Sequence, residues 1–230
     1  MKFLYIEDIV FEPGRRWAER LTTAMERDFE IISPDAYEPD VEADLLFIAT
    51  TCSSRRVQYW LNRTRELRLP YLFLTPQMRH VEVLAEAPQP IRSILCPVTM
   101  LEEEVHKAEL LSHLARYTDA QITLLTANDY GSRAKTNTQK IRTFLMSREE
   151  ALTKTFQIEE RTARNGSMSL YKELTDRYRD FRPDLIVQTA SRDYGLDDLI
   201  FGPVERKLIL RSAVPIALLN PRGDLYSLCD

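Results

Sequence analysis

Two loops of this 230-residue sequence carry residues whose types and spacing could bind a phosphate group. The first, residues 50–56 (TTCSSRR), places four hydroxyl side chains and two arginines at a predicted helix start. Backbone N–H groups at helix N-termini and guanidinium groups both bind phosphate or sulfate. The pattern therefore predicts an anion site formed by Ser53, Ser54, Arg55 and Arg56. An ordinary helix cap followed by solvated arginines has the same composition, so that alternative stays open.

The second loop runs from Thr189 to Gly202 and lies between two short apolar runs, residues 184–187 and 214–219. Runs of this kind predict buried parallel strands joined by a right-handed crossover. Because ligands of such sheets bind at the carboxyl ends of the strands, a site should involve this loop. Arg192 within it could bind a phosphate, or could pair with one of the neighbouring aspartates.

Other reactive side chains form no recognisable catalytic or metal-binding pattern. His106, Glu109 and His113 share one predicted helix face, but zinc requires closer and stronger ligands, so surface positions are favoured. Cys52 has no histidine near it in the sequence, which leaves a nucleophilic role without support. We predict no catalytic residues, no metal site and no enzymatic activity, and a hydrolase on this fold is a remote third alternative.

The elements that must position these loops form two α/β halves. Up to residue 80 the pattern predicts strand, helix, two strands, helix and strand. From Ile91 onward it predicts five strands alternating with four helices, which is typical of a doubly wound parallel sheet. Among these elements are a strand at residues 156–159 and a helix from Ser167 to Phe181. Residues 81–90, with Pro88 and Pro90, are predicted to be a linker.

The halves repeat each other. Residues 43–48 match residues 183–187, and residues 70–76 (PYLFLTP) match residues 215–221 (PIALLNP) at the same length. We interpret this as a tandem duplication whose first copy has lost a strand with its crossovers. The predicted domains are a truncated unit (1–80), the linker (81–90) and a complete unit (91–230). A shared α/β pattern without duplication could produce the same match.

The second half resembles the universal stress protein domain from Ile91 to Pro221. Residues 91–98 (IRSILCPV) resemble that family's first strand, residues 184–187 (DLIV) the strand before its phosphate loop, and residues 215–221 its last strand. The resemblance implies an α/β fold with two adenine-nucleotide-alpha-hydrolase-like (Rossmann-like) parallel-sheet units in tandem, the first truncated. It also implies a role in stress response.

The sequence departs from the family's nucleotide-binding pattern at most of its positions. In the second copy, the aspartate that faces adenine falls on Thr99, and the first two phosphate-loop glycines fall on Thr189 and Arg192. In the first copy, Asp8 falls near the aspartate position, but residues 50–54 replace the phosphate loop and contain no glycine. The third glycine is retained as Gly202, but the hydroxyl residue after it is Pro203, which lacks a backbone N–H. The resemblance therefore implies the fold without a standard ATP site, and no cofactor is expected.

The last strands of the two halves suggest how the halves are joined. Members of the family pair through the last strand of the sheet. In a tandem chain, residues 71–74 and 216–219 could pair internally and cover two apolar edges that would otherwise aggregate. We therefore predict that these segments are neighbours.

Composition limits the partners. The net charge of −4 gives no electrostatic reason to expect nucleic acid or an anionic membrane as a partner. Three widely spaced cysteines predict reduced thiols, and no apolar run reaches membrane-spanning length, so a cytoplasmic location is expected.

Together these patterns predict a non-catalytic stress-response protein that binds a ligand, forms a homodimer or binds an unknown protein partner. The alternative is a nucleotide- or anion-binding sensor that uses Thr99, Thr189, Arg192 and residues 50–56 in a non-standard way.

Overall fold

The computed structural model describes residues 2–39, 41–152, 154–190 and 203–221, without the side chains of residues 178 and 179. Within these ranges nine strands form one sheet, and most of them are buried apolar runs of four to six residues. In chain order they are β1 (Lys2–Glu7), β2 (Asp28–Ile32), β3 (Leu45–Ala49), β4 (Tyr71–Leu74), β5 (Ser93–Val98), β6 (Gln121–Thr126), β7 (Ile158–Thr162), β8 (Leu185–Thr189) and β9 (Ile216–Leu219).

Helices cover both faces of the sheet, as parallel strands buried on both sides require. The described helices are α1 (Glu12–Ala24), α2 (Ser54–Thr64), α3 (His80–Glu86), α4 (Lys107–Thr118), α5 (Arg133–Leu152), α6 (Leu170–Asp176), α7 (Tyr178–Phe181) and α8 (Val204–Arg211). Short 3-10 turns occur at Pro34–Ala36, Glu102–His106 and Ser167–Ser169. No helix within these ranges is long and apolar enough to cross a membrane.

The strand order is β2-β1-β3-β4-β9-β8-β5-β6-β7, and it contains two parallel blocks. Numbered from its own first strand, the second block has the order 3-2-1-4-5 of a doubly wound sheet. The first block has the same order without the outermost strand. The predicted tandem α/β fold with a truncated first copy is therefore confirmed.

The two blocks meet where β4 pairs with β9 in antiparallel orientation. Tyr71 lies opposite Leu218, and Phe73 lies opposite Ile216. The predicted internal pairing of these two segments is confirmed. It places the last strand of each copy at the centre of a continuous sheet, where both are buried.

Equivalent hydrogen bonds show how closely the two copies match. The Leu46 N–H donates to the Pro70 carbonyl at 3.1 Å, and the Ile186 N–H donates to the Pro215 carbonyl at 3.1 Å. Leu46 and Ile186 each lie two residues after the matched aspartate, and the two prolines are the residues matched in the sequence. The sequence repeat therefore corresponds to a repeat in backbone geometry.

The segment predicted as a linker contains most of a helix. In α3, Val81 and Leu84 are buried against α1, and the Trp17 indole N–H donates to the Pro90 carbonyl at 2.8 Å. Pro88 and Pro90 predicted a linker, but the apolar pair Val81 and Leu84, three residues apart, lies on one helix face and packs on α1. The segment is therefore part of the packed structure.

Two smaller expectations in the second half are also corrected. The strand predicted at residues 156–159 is β7, two residues later, and Phe156 is buried ahead of it. The helix predicted from Ser167 to Phe181 is divided into a 3-10 turn, α6 and α7. Boundaries of this kind depend on packing as well as on local propensity.

Candidate functional site

The two predicted phosphate-binding regions lie on opposite sides of the sheet, at the two opposite ends of its strands. Because β4 and β9 are antiparallel, the carboxyl ends of β1 and β3 point away from the carboxyl ends of β5 and β8. Residues 50–56 follow β3, whereas Thr99 and Thr189 follow or end β5 and β8. The sequence-predicted residues therefore belong to two separate sites.

The site in the first copy is built around Asp8, which follows β1 and whose side chain is only 4% exposed. Its carboxylate accepts hydrogen bonds from the Thr50 hydroxyl (2.5 Å), the Arg56 Nε (2.7 Å) and the Trp60 indole N–H (3.0 Å). A second guanidinium nitrogen of Arg56 completes a two-point contact with the same carboxylate. The Tyr59 ring lies 4.4 Å from that guanidinium group.

These contacts determine the charge of the site. Burial alone would raise the pKa of Asp8, but hydrogen bonds from Arg56, Thr50 and Trp60 outweigh burial and lower it. Asp8 and Arg56 are thus an ion pair at neutral pH. The sequence predicted that Arg56 binds an external anion. In the structure its guanidinium group instead contacts the Asp8 carboxylate.

The other residues of the predicted anion site are placed differently. The Ser53 hydroxyl accepts the Arg56 backbone N–H at 3.2 Å, so Ser53 is the N-cap of α2, as the alternative interpretation expected. Ser54 and Arg55 are exposed to solvent. An anion site here stays a prediction, and it would depend on these two exposed residues.

We expect Asp8→Asn to lower the free energy of unfolding by about 1–3 kcal/mol at pH 7, because hydrogen bonds to a charged group are lost. The folded pKa of Asp8 lies below the unfolded value of 3.8. Its contribution is therefore present above that value and is lost as pH falls through the folded pKa. Urea denaturation should show a smaller difference between the two proteins in acid. The exposed Asp28→Asn variant is the control, and an equal effect in both would contradict the prediction.

The site in the second copy contains a closed polar network in place of an adenine-facing aspartate. The Thr99 hydroxyl donates to Glu104 at 2.7 Å, and Glu104 forms an ion pair with Lys107. The side chains of Glu104 and Lys107 are both 0% exposed. Lys107 also donates to the Pro97 carbonyl, and Asn137 donates to the Thr99 carbonyl at 3.0 Å.

The Lys107 ammonium group keeps its charge although it is buried. Burial disfavours the Lys107 ammonium group, but the neighbouring Cys96 and Glu104 outweigh burial and raise the pKa of Lys107. Burial raises the pKa of the Cys96 thiol to about 11, so that thiol is neutral at neutral pH. Sequence reasoning missed Glu104 and Lys107 because charged residues at a helix start are normally exposed.

The remaining predicted residues of this site are only partly described. Thr189 ends β8, next to β5, and its buried hydroxyl has no hydrogen-bond partner within the described residues. Arg192 and Gly202 lie outside the described residues. Pro203 immediately precedes α8. The structure thus places Thr99 and Thr189 together at the carboxyl ends of β5 and β8.

The helix face of His106, Glu109 and His113 lies at the junction of the two copies. These residues line a cavity of about 260 Å³ together with residues of the first copy such as Phe3. His106 is half-buried rather than on the open surface, and burial lowers its pKa. Within the described ranges, no three His, Cys, Asp or Glu side chains are grouped so as to hold a metal ion.

A larger cavity of about 610 Å³ lies beside the β4–β9 pair, at the amino end of β8. Its buried carboxylate, Asp184, accepts hydrogen bonds from His80 Nε2 at 2.7 Å and from the Arg92 backbone N–H at 2.8 Å. Burial alone would raise the pKa of Asp184, but these contacts outweigh burial and lower it. No local spacing could predict this contact, since His80 and Asp184 are 104 residues apart.

No protein-family model and no curated protein matches the sequence. Solved structures do match it. A universal stress protein from Archaeoglobus fulgidus is 11% identical, with a TM-score of 0.54, over 97% of this chain and 88% of the other. A functionally unknown protein, PA1789 from Pseudomonas aeruginosa, is 12% identical (TM-score 0.47) over 95% and 81%, respectively. A universal stress protein in complex with cAMP is 14% identical (TM-score 0.46) over 57% and 98%.

The A. fulgidus structure extends over nearly the whole of this chain, including both copies. At 11% identity the similarity concerns the fold alone. The resemblance to universal stress proteins inferred from residues 91–98, 184–187 and 215–221 is therefore confirmed for the fold.

Proposed function

We propose that this chain is a non-catalytic stress-response protein of the universal stress protein fold that binds a partner or small ligand and does not bind ATP. One observation carries the proposal. At both positions where the family resemblance implies contact with adenine, the polar groups are already paired with side chains of the chain itself.

In the first copy, Asp8 falls near the position that faces adenine in the family. Its carboxylate already accepts hydrogen bonds from Thr50, Arg56 and Trp60. A nucleotide that took over this carboxylate would leave the Trp60 indole N–H and the Arg56 guanidinium without their partner. Loss of a partner costs a buried polar group about 1–3 kcal/mol, and more for a charged group.

In the second copy, the adenine-facing position is Thr99, whose hydroxyl is bound to Glu104. The phosphate side is also weakened, because Pro203 offers no backbone N–H at the start of α8. The family resemblance implies that a carboxylate faces adenine and that backbone N–H groups bind the phosphates. Both features oppose ATP binding of this kind.

The described surroundings of Cys52 support the absence of catalysis. Its thiol donates to the Gln77 side-chain oxygen at 2.8 Å, and the Leu210 carbonyl lies 3.7 Å from the sulfur. Neither group can act as a general base. Burial raises the pKa of this thiol, which disfavours the nucleophilic thiolate.

The second candidate function is a nucleotide- or anion-binding sensor. It is supported by the buried Thr189 hydroxyl, which has no partner in the described part of the chain, and by the exposed Arg55. A ligand would reach Thr189 from the carboxyl edge of β5 and β8.

Titration with ATP, AMP and cyclic dinucleotides separates the two functions. We expect none of them to raise the thermal unfolding midpoint more than tripolyphosphate or pyrophosphate does at the same concentration. A specific ligand at 100 times its Kd would stabilise the folded chain by about 2.7 kcal/mol, which shifts the midpoint measurably. A rise with ATP that tripolyphosphate does not reproduce would establish adenine recognition and contradict the proposal.

The sheet limits how a second chain could bind. The last strands of both copies are paired with each other, so the homodimer predicted from the sequence would need another surface. The edge strands β2 and β7 are short and carry charges, including Asp28, Glu30, Glu159 and Glu160, which oppose edge-to-edge pairing. A cytoplasmic location, and the lack of nucleic-acid or membrane binding, stay predictions from the sequence.

A further inference from the structure

The 610 Å³ cavity beside the β4–β9 pair has an unbalanced charged lining. Three arginines line it: Arg79, which precedes α3; Arg92, which precedes β5; and Arg182, which lies just before β8. All three are exposed to solvent. Among the described lining residues, Asp184 is the one carboxylate.

Asp184 neutralises at most one of these three arginines, Arg92. Its two oxygens accept hydrogen bonds from His80 and from the Arg92 backbone N–H, and the Arg92 Nε lies farther away, at 3.5 Å. In the part of the chain that the structure describes, Arg79 and Arg182 form no ion pair. Asp184 instead holds together the segments that carry the arginines, because it joins the start of α3 to the start of β5.

The charge excess indicates the kind of ligand. Three guanidinium groups and one carboxylate leave two positive charges around one cavity, in a chain whose net charge is −4. Like charges gathered at one cavity repel each other, and a bound anion removes that repulsion. Guanidinium groups bind phosphate oxygens through paired N–H donors, and a phosphate monoester carries about −1.5 to −2 charges at neutral pH.

The size and the remaining lining indicate that the ligand has an uncharged body. Small-molecule sites occupy about 300–1,000 Å³, and this cavity falls within that range, well above the volume that phosphate alone would fill. Apart from His80, which is bound to Asp184, the other lining residues are apolar: Val83, Pro183, Ala213 and Val214. An apolar group attached to a phosphate would therefore find contacts on both of its parts.

We propose that this cavity binds the phosphate monoester of a small apolar molecule, with Arg79, Arg92 and Arg182 as the phosphate ligands. The proposal rests on the proposed function, in that the chain binds a ligand, and it names the ligand's chemical class. The site lies at the amino ends of β5 and β8, opposite the carboxyl ends that carry Thr99 and Thr189. It is formed by both copies together, so neither copy alone contains it.

Isothermal titration calorimetry of the full chain with phenyl phosphate and inorganic phosphate tests this site. We expect the unaltered protein to bind phenyl phosphate, and to bind it more tightly than it binds inorganic phosphate. The double variant Arg79→Gln/Arg182→Gln should weaken phenyl phosphate binding by about tenfold or more, since two charge-assisted contacts are lost. Arg133→Gln changes an exposed arginine at the start of α5 and should leave binding unchanged. The unfolding midpoint without ligand should not fall in either variant, so that lost binding cannot be attributed to lost folding.

Several results would overturn the proposal. These are no binding of phenyl phosphate, equal binding by the double variant, or inorganic phosphate binding as tightly as phenyl phosphate. Loss of binding in Arg55→Gln, with binding retained in the double variant, would place the anion at residues 53–56 instead. Repeating the ATP and tripolyphosphate titrations on the double variant tests the proposed function separately. Adenine recognition at Asp8 or Thr99 would not involve the two substituted arginines, so it would survive these substitutions.

Discussion

Replacing Lys107 by methionine is expected to lower the free energy of unfolding by about 3–5 kcal/mol at neutral pH. The reason is that the Glu104 carboxylate would remain fully buried without the ammonium group that now balances it. The Pro97 carbonyl would lose a donor as well. Urea denaturation with an unchanged slope would show that the loss is in stability rather than in the surface exposed on unfolding.

Two controls give this result its meaning. Lys135→Met makes the same substitution at an exposed position and should change stability by less than about 0.5 kcal/mol. The double variant Glu104→Leu/Lys107→Met should recover much of the loss, because no unpaired buried charge remains. A loss below about 1 kcal/mol in the single variant would mean that the network is not needed for folding.

The same ion pair has a defined pH dependence. The folded pKa of Lys107 lies above the unfolded value of 10.5. Its contribution to stability is therefore complete below pH 10.5 and is lost only as the pH rises through the higher folded value. We expect the Lys107 contribution to the difference between Lys107→Met and the unaltered protein to be lost in strong alkali.

Replacing Asn220 by alanine is expected to lower the free energy of unfolding by about 3 kcal/mol, because several buried groups lose their partners at once. The Asn220 side chain accepts the Tyr71 hydroxyl at 2.8 Å and donates to the Thr64 and Leu67 carbonyls at 2.6 and 3.1 Å. These bonds connect the residue after β9 to the first copy. Chemical denaturation followed by both fluorescence and circular dichroism should show one transition shifted to lower urea.

Tyr71→Phe provides a graded comparison, since it removes the hydroxyl from this set and should cost about 1 kcal/mol. The two substitutions together should cost less than the sum of the separate effects, because they remove a shared contact. An Asn220→Ala protein that unfolds in two steps, with one copy unaffected, would contradict the inference that the copies share a single core. That inference comes from the antiparallel β4–β9 pair at the centre of the sheet.

The order of the strands and the tandem repeat could be predicted from the sequence, and the pairing of β4 with β9 from the family resemblance together with the matched segments. Each depends on apolar patterns within a few residues, such as PYLFLTP and PIALLNP, which are buried wherever the chain places them. Helix α3 was not predicted, because its local signal is the single apolar pair Val81 and Leu84, and Pro88 and Pro90 follow closely after it. Its helical form depends on contact with α1, which a local pattern does not contain.

The partners of the charged side chains were decided by the tertiary structure alone. Asp8 and Arg56 are 48 residues apart, and His80 and Asp184 are 104 residues apart, so no local spacing could connect them. Burial of apolar groups follows from the residue type, whereas the partner of a charge follows from strand order and strand direction. The antiparallel joining of the two copies separates the predicted phosphate loops and brings three arginines to one cavity, and neither result is encoded in any single segment.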